Sequence, residues 1–254
     1  MGIASAQQKE AVIALNADGD ITIAPDGHVT DFHLSTKLSP AVGKLVDGTV
    51  RSWHFEPVTV DGRAVNAKTT MSLRLSGTPA PNDSYSLRIE SVHFGVLTRT
   101  KLKPPEYPGN AARVGLGARV VLYLVIDEDG KVIEALPGQT SLGMRAKNER
   151  DAEDWRQQFE KASIKAAKTW RYDPSELVDG KRVANRHAIA PIEFQPSRWH
   201  HGWTAYEPGP VHPAPWDKND GDKNAQRFAQ LADGETASTD SNFRLKDDVI
   251  GKTL

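Results

Sequence analysis

The chain has 254 residues, no cysteine and a formal charge of −1, with a pI near 6.7. That balance argues against a non-specific nucleic-acid or anionic-membrane binder, which needs a basic excess. The missing cysteines exclude disulfides, Cys-ligated zinc and thiol nucleophiles, and no run approaches the roughly 18 apolar residues of a membrane span. Near the start, Ala4-Ser5-Ala6 before Gln7-Gln8-Lys9-Glu10 has the small-x-small pattern of a signal-peptidase site with no charged, apolar leader ahead of it. A chance cluster of small residues has the same pattern.

Ile21 and Ile23 alternate with polar neighbours, Pro25-Asp26-Gly27 makes a tight turn, and Val29, Phe32 and Leu34 follow. Residues 20–34 therefore read as a hairpin with an irregularity near Thr30-Asp31. Ser39-Pro40 pairs a capping hydroxyl with a proline at the first helical turn. From there Val42, Leu45, Val46, Thr49, Val50 and Trp53 fall on one helical face, and Pro57 ends the helix. Gly43 and Gly48 each weaken it by ~1 kcal/mol relative to Ala, so packing must hold it. From Val65 to Leu75 strict alternation marks a half-buried strand. A Pro/Asn/Asp stretch at 77–84 reads as a linker and domain boundary, and Ser84 to Val92 as a strand leaving it.

The same order of signals then returns. Val120 to Ile126 is an apolar run that Asp129-Gly130 turns, and Val132 to Leu136 comes back. A helix carries Trp155, Phe159, Ala162, Ala166, Ala167 and Trp170 on one side, and Val183 to Phe194 is the last strand, interrupted by Pro191. Trp53-His54-Phe55-Glu56-Pro57 and Val60-Asp61-Gly62 are matched by Trp170-Arg171-Tyr172-Asp173-Pro174 and Val178-Asp179-Gly180. Counted back from the two tryptophans, Val42 matches Phe159, Leu45 matches Ala162 and Val50 matches Ala167, and residues 137–154 form a polar insertion in the second copy. The expected fold class is α+β: two tandem ββαβ units, each a small antiparallel sheet with a helix on one face, plus a Trp/Pro/His-rich tail. The expected division is a degenerate repeat at 18–77, linker and strand at 78–103, a second unit at 104–195 and an extension at 196–254. Trp53 and Trp170 read as core anchors at the helix ends.

The tail, with Trp199, Trp203 and Trp216, holds too much apolar ring surface for a solvated linker, so it should pack back in extended form. Residues 217–242 are polar, with a short helical stretch at Asn224 to Leu231. His200, His201 and His212 do not make a metal site, because neighbouring side chains of an extended segment point to opposite sides. A calcium loop at Asp220, Asp222 and Asn224 fails, with Ala225 in place of the required glycine and Leu231 in place of the bidentate glutamate. Gly115-Leu116-Gly117 precedes a strand, whereas a dinucleotide loop follows one, so it reads as a joint. Without a nucleophile elbow, a zincin motif or a carboxylate pair on an apolar face, no catalytic residue, cofactor or metal is assigned.

The second copy resembles the C-terminal domain of the TonB family, the periplasmic end of bacterial energy transducers. The matching residues are Pro105-Glu106-Tyr107-Pro108 with Ala111-Ala112, then Gly117 and Val120, the strand into Asp129-Gly130-Lys131-Val132, the helix ending in Trp170-Arg171-Tyr172-Asp173-Pro174, and the strand to Phe194. The resemblance covers residues 104–194, and the first copy looks like a degenerate version without the Pro-x-Tyr-Pro element. It implies binding and no catalysis: in the family a short peptide of an outer-membrane transporter adds as a strand beside the last strand of the sheet. Carried over residue by residue, the partner-binding candidates are Val183, Asn185, His187, Ile189 and Ile192 along that strand and Pro104, Pro105 and Tyr107 at its approach. The family often has a partner-contacting Gln where this chain has Pro104, and Pro191 removes one donor from the ladder.

The leading expectation is a periplasmic TonB-like protein of a Gram-negative envelope that binds an extended peptide of a transporter or another envelope protein. The membrane helix and Pro-rich spacer of a transducer are missing from the sequence. The alternative is an envelope scaffold whose same edge pairs with itself to give a homodimer, and a third class, an enzyme, would need a deep pocket of convergent polar groups.

Overall fold

The computed structural model describes residues 13–80, 84–101, 103–143, 147–173, 176–183, 186–196, 206–216, 228, 231 and 235–254. It is a mixed α+β protein of mostly antiparallel sheets with few helices. The chain divides into two compact units, one of residues 1–94, 177–180 and 242–254, the other of 95–176 and 181–241.

The first unit begins with β1 (Ile13–Ile23) and β2 (Val29–Leu34), followed by α1 (Pro40–Arg51), the short pair β3 (Thr59–Val60) and β4 (Arg63–Ala64), then β5 (Ala67–Ala80) and β6 (Ser84–Phe94). The hairpin register runs Thr22↔Asp31 and then Ile23↔Val29, which leaves Thr30 as the extra residue of a bulge. Ser39 caps α1 by accepting from the Val42 N–H, with Pro40 at the first position. Only Val46 and Val50 of this helix are buried, and Leu45 is 47% exposed, so the buried stripe is narrower than the apolar periodicity suggests. β5 is an interior strand, flanked by β1 from Ala67 to Gly77 and by β6 from Met71 to Ala80. Gly77 to Ala80 pair with Leu87 to Ser84 inside this unit, so the division expected at 77–84 falls instead after Phe94.

Two distant stretches complete the first unit. Leu177 and Val178 pair with Lys68 and Ala67 of β5, and the Asp179 N–H donates to the Asn66 carbonyl. The C-terminal residues lie along β6: the Ile89 N–H donates to the Lys252 carbonyl, and Gly251 and Leu254 donate to the carbonyls of Ile89 and Leu87. Phe243 stacks with Phe94 and meets Phe55 edge-on, while Leu245 and Phe55 form a bridge.

The second unit contains β7 (Thr98–Lys101), α2 (Gly109–Val114), β8 (Ala118–Ile126), β9 (Val132–Leu142), α3 (Glu149–Ala167), β10 (Arg171–Asp173), β11 (Glu176–Val178, whose last two residues belong to the first unit), β12 (Lys181–Val183), β13 (His187–Phe194) and β14 (Ala237–Ser238). Its main sheet has the order β14-β13-β8-β9. The expected strand Val183–Phe194 is split, since β12 ends at Val183 and β13 starts at His187. The expected insertion at 137–154 is mostly regular structure, with β9 running on to Leu142 and α3 starting at Glu149. The short helix α2, absent from the sequence reading, ends on Gly115 at φ 67°, which gives this glycine a capping role in place of a loose joint.

β8 is apolar from Val120 to Ile126, and both of its faces are covered. Val120, Leu122 and Leu124 join the main core with Phe159, Ala167, Trp170 and Phe194. Val121 and Tyr123 face a second cluster with Ala214, Phe228 and Leu231, against which Trp216 packs. The tail thus supplies the second layer of this sheet, which agrees with the expected packing back of an apolar, Trp-bearing extension. Trp199, Trp203, His200 and His201 lie outside the described residues.

The units share local geometry. Gly27 sits at φ 88° and accepts from the Phe55 N–H at 2.9 Å; Gly130 sits at φ 76° and accepts from the Tyr172 N–H at 2.8 Å. Each helix is followed by a hydroxyl residue that bonds back into the last turn, Ser52 to the Thr49 carbonyl and Thr169 to the Ala166 carbonyl, each at 2.7 Å. Trp53 and Trp170, one residue further on, are both buried. Asp61-Gly62 and Asp179-Gly180, both in the first unit, all have positive φ, the signature of a tight hairpin turn.

Candidate functional site

Two surfaces of the second unit gather the residues singled out above: the outer margin of β13, and a cleft between residues 103–110 and α3.

The margin is set by backbone alternation. β13 pairs with β8 over its whole length, from His187↔Val125 to Phe194↔Ala118. In an antiparallel ladder successive residues turn their N–H and C=O to opposite sides. The Arg186 carbonyl accepts from Ile126 on the β8 side, so the backbone of His187 faces outward, together with that of Ile189, Pro191 and Glu193. The first part of this outward row is taken. Ala188 pairs with Ser238 and Ile189 with Ala237, and the His187 carbonyl accepts from Thr239 at 2.9 Å. The Asp240 carboxylate accepts from the N–H groups of Arg186 and His187 at 2.9 and 3.2 Å. β14 is covered in turn, as Ser238 donates to Gly95 and Leu97 to Thr236. Beyond Ile189 no strand among the described residues is paired with the outer side of β13, to which the Pro191 carbonyl and the backbone of Glu193 turn.

The expectation of a fully open edge from Val183 to Phe194 is therefore corrected, since its part from His187 to Ile189 is occupied. The reason is that residues 236–240 of the extension satisfy the same groups that a partner strand would use. In the first unit the corresponding strand β5 has partners on both sides.

The candidates along the strand are distributed as follows. Val183 ends β12, and Asn185 lies outside the described residues. The His187 ring stacks on Trp216 with centroids 4.2 Å apart, and its Nδ1 is 3.3 Å from Asp240. Ile189 is buried in the cluster with Phe228, and Ile192 on the opposite face in the main core, so neither side chain is available to a partner without repacking. Among the described residues no group of three or more His, Asp or Glu side chains could hold a metal ion, and His212 is engaged through its backbone, receiving a bond from the Tyr123 hydroxyl.

The cleft has a volume of about 440 Å³. One wall is the irregular segment with Lys103, Pro104, Glu106, Tyr107 and Pro108; the other is the side of α3 with Lys161, Ala162, Lys165 and Ala166. The segment is pinned at both ends by motif residues. The Trp170 indole Nε1 donates to the Lys103 carbonyl at 2.8 Å, and the Tyr107 hydroxyl donates to the Leu116 carbonyl at 2.8 Å. The Tyr107 ring meets Phe159 and Phe194 edge-on, 5.9 and 5.5 Å between centroids. Its burial raises the phenol above its ordinary pKa, so it holds its proton as a donor. Pro104 is exposed and Pro105 half-buried, which brings Pro104, Pro105 and Tyr107 to one surface strip.

Sequence reasoning missed Arg156, a buried arginine on α3 whose guanidinium pairs with Glu149 at 2.5 Å and Glu153 at 3.5 Å. Burial works against its charge, yet the bonds to Glu149 and Glu153 outweigh it and hold its pKa above the ordinary value. Two acidic residues three and seven positions ahead of an arginine on a helix were the available signal. The site beside it, lined by Lys147, Glu149 and Glu207, is small and polar.

No helix among the described residues is long and apolar enough to cross a membrane. No protein-family model, curated protein or solved structure matches this chain.

Proposed function

We propose that the two units are copies of one ββαβ module and that the chain is a TonB-like, non-catalytic binding protein of the Gram-negative periplasm. The second unit recognises an extended peptide of an outer-membrane transporter or another envelope protein by strand addition. The proposed seat is the outer side of β13 from Ala190 to Phe194, reached over Pro104 and Pro105. The observation that carries this reading is the convergence of the motif residues. Trp170 holds the carbonyl just before Pro104-Pro105, and Tyr107 packs on Phe194, the last residue of the strand to be augmented. The geometry common to Gly27 and Gly130, and to the two helix ends, supports the module as a repeated unit.

The short seat implies a modest ladder in which side-chain contacts carry a large share of the selectivity. The test is a titration of the isotope-labelled full chain with a peptide bearing a transporter box segment. The expected result is amide shifts concentrated at Ile192 to Phe194, with Glu193→Pro weakening binding by interrupting any added ladder. Saturating peptide that leaves these amides unmoved defeats the reading. Self-association through the same stretch is the competing use of the edge, and light scattering separates it from peptide capture.

A further inference from the structure

We infer that the cleft between residues 103–108 and α3 is a second contact surface on the partner, one that selects an acidic segment carrying an aliphatic side chain. The inference rests on the reading of the second unit as a peptide-binding module, and it uses a surface distinct from the β13 margin.

The chemistry of the walls decides the ligand class. The floor is apolar, made by the rings of Tyr107 and Pro108 and the methyl groups of Ala162 and Ala166. The rim is basic: Lys103, Lys161 and Lys165 line the cleft against a single carboxylate, Glu106. Glu106 lies 3.6 Å from Lys165, with both side chains largely exposed, which makes a weak, screened pair. Lys103 and Lys161 have no carboxylate partner among the described residues. A chain whose overall charge is −1 therefore presents a local excess of positive charge around an apolar floor, the complement of an acidic, leucine-like segment. The volume suits a few side chains of an extended peptide and is too small for a folded partner element.

The experiment measures anisotropy of two dye-labelled octapeptides with the full chain, one alternating Leu and Glu, the other alternating Leu and Lys. Sedimentation with vesicles of phosphatidylcholine and phosphatidylglycerol runs in parallel. The acidic peptide is expected to bind at least about tenfold more tightly than the basic one, and to weaken as NaCl rises from about 50 to about 300 mM. Lys161→Glu/Lys165→Glu and, separately, Ala162→Leu are expected to weaken it about tenfold, and its amide shifts to centre on residues 158–169. Equal binding of the two peptides, no binding of the acidic peptide, or wild-type affinity in both variants overturns the inference, as does binding of anionic vesicles in place of peptide. Shifts at Ile192 to Phe194 with the box peptide but none at 158–169 with the acidic one would sink the cleft and leave strand addition standing. The reverse pattern would sink strand addition alone.

Discussion

At Gly27 and Gly130 the backbone leaves no room for a side chain. A Cβ would lie 2.1 Å from the Phe55 carbonyl oxygen and 1.9 Å from that of Tyr172, and both glycines have positive φ. Substitution by Ala combines left-handed strain with a clash against backbone that is itself hydrogen-bonded, so each should cost roughly 3 kcal/mol by chemical denaturation. Gly62→Ala, equally left-handed but facing open space, should cost only about 1 kcal/mol. Tyr107 gives a second residue-scale prediction. Tyr107→Phe removes the bond to the Leu116 carbonyl and should destabilise the chain by about 1 kcal/mol at neutral pH. The folded phenol has a raised pKa, so its contribution is complete below the unfolded value of 10.0 and fades as pH rises through the folded value. Denaturation midpoints followed upward from pH 10 should therefore fall more steeply in the wild type than in Tyr107→Phe.

Among the elements, three segments of the C-terminal extension act alike in occupying sheet margins. Residues 251–254 lie along β6, β14 along β13, and Glu207 exchanges both its backbone bonds with Leu142 at the end of β9. An exposed margin is a row of unpaired donors and acceptors that templates association, and covering it is a common remedy. Deleting residues 251–254 removes the acceptor of the Ile89 N–H. The Ile89 amide should then exchange at least about tenfold faster, while Leu73 in the interior of β5 keeps its protection. An Ile89 amide that stays protected would show that the C-terminal residues do not hold β6.

For the molecule as a whole, the extension does more than close margins, since in the second unit it also covers the face of β8 that carries Val121 and Tyr123. The full chain, at 27.8 kDa, should scatter light as a monomer. A chain ending at Gln195 would expose that apolar face and the outward row of β13 together, and should self-associate or precipitate. Equal masses per chain for the two proteins would contradict this. Much of the local plan was legible in the sequence. The Asp-Gly turns, the Ser39-Pro40 cap, the bulge near Thr30, the burial of Trp53 and Trp170 and the two-sided apolar run of β8 are written in short-range signals of residue type and spacing. The expected free edge, the boundary at 77–84, the burial of Leu45 and the place of Arg156 were misread or missed, because each depends on what lies across from the residue.

Side chains that set φ, cap a helix or alternate along a strand act within a few residues, so residue order alone dictates the turns, the helix starts and which strands are apolar. Strand pairing uses backbone N–H and C=O groups that are alike at every position, and their satisfaction carries almost no mark in residue type. That Leu177 and Val178 join β5, and that residues 236–240 claim the first half of the β13 margin, is settled by the folded arrangement and by nothing shorter in range.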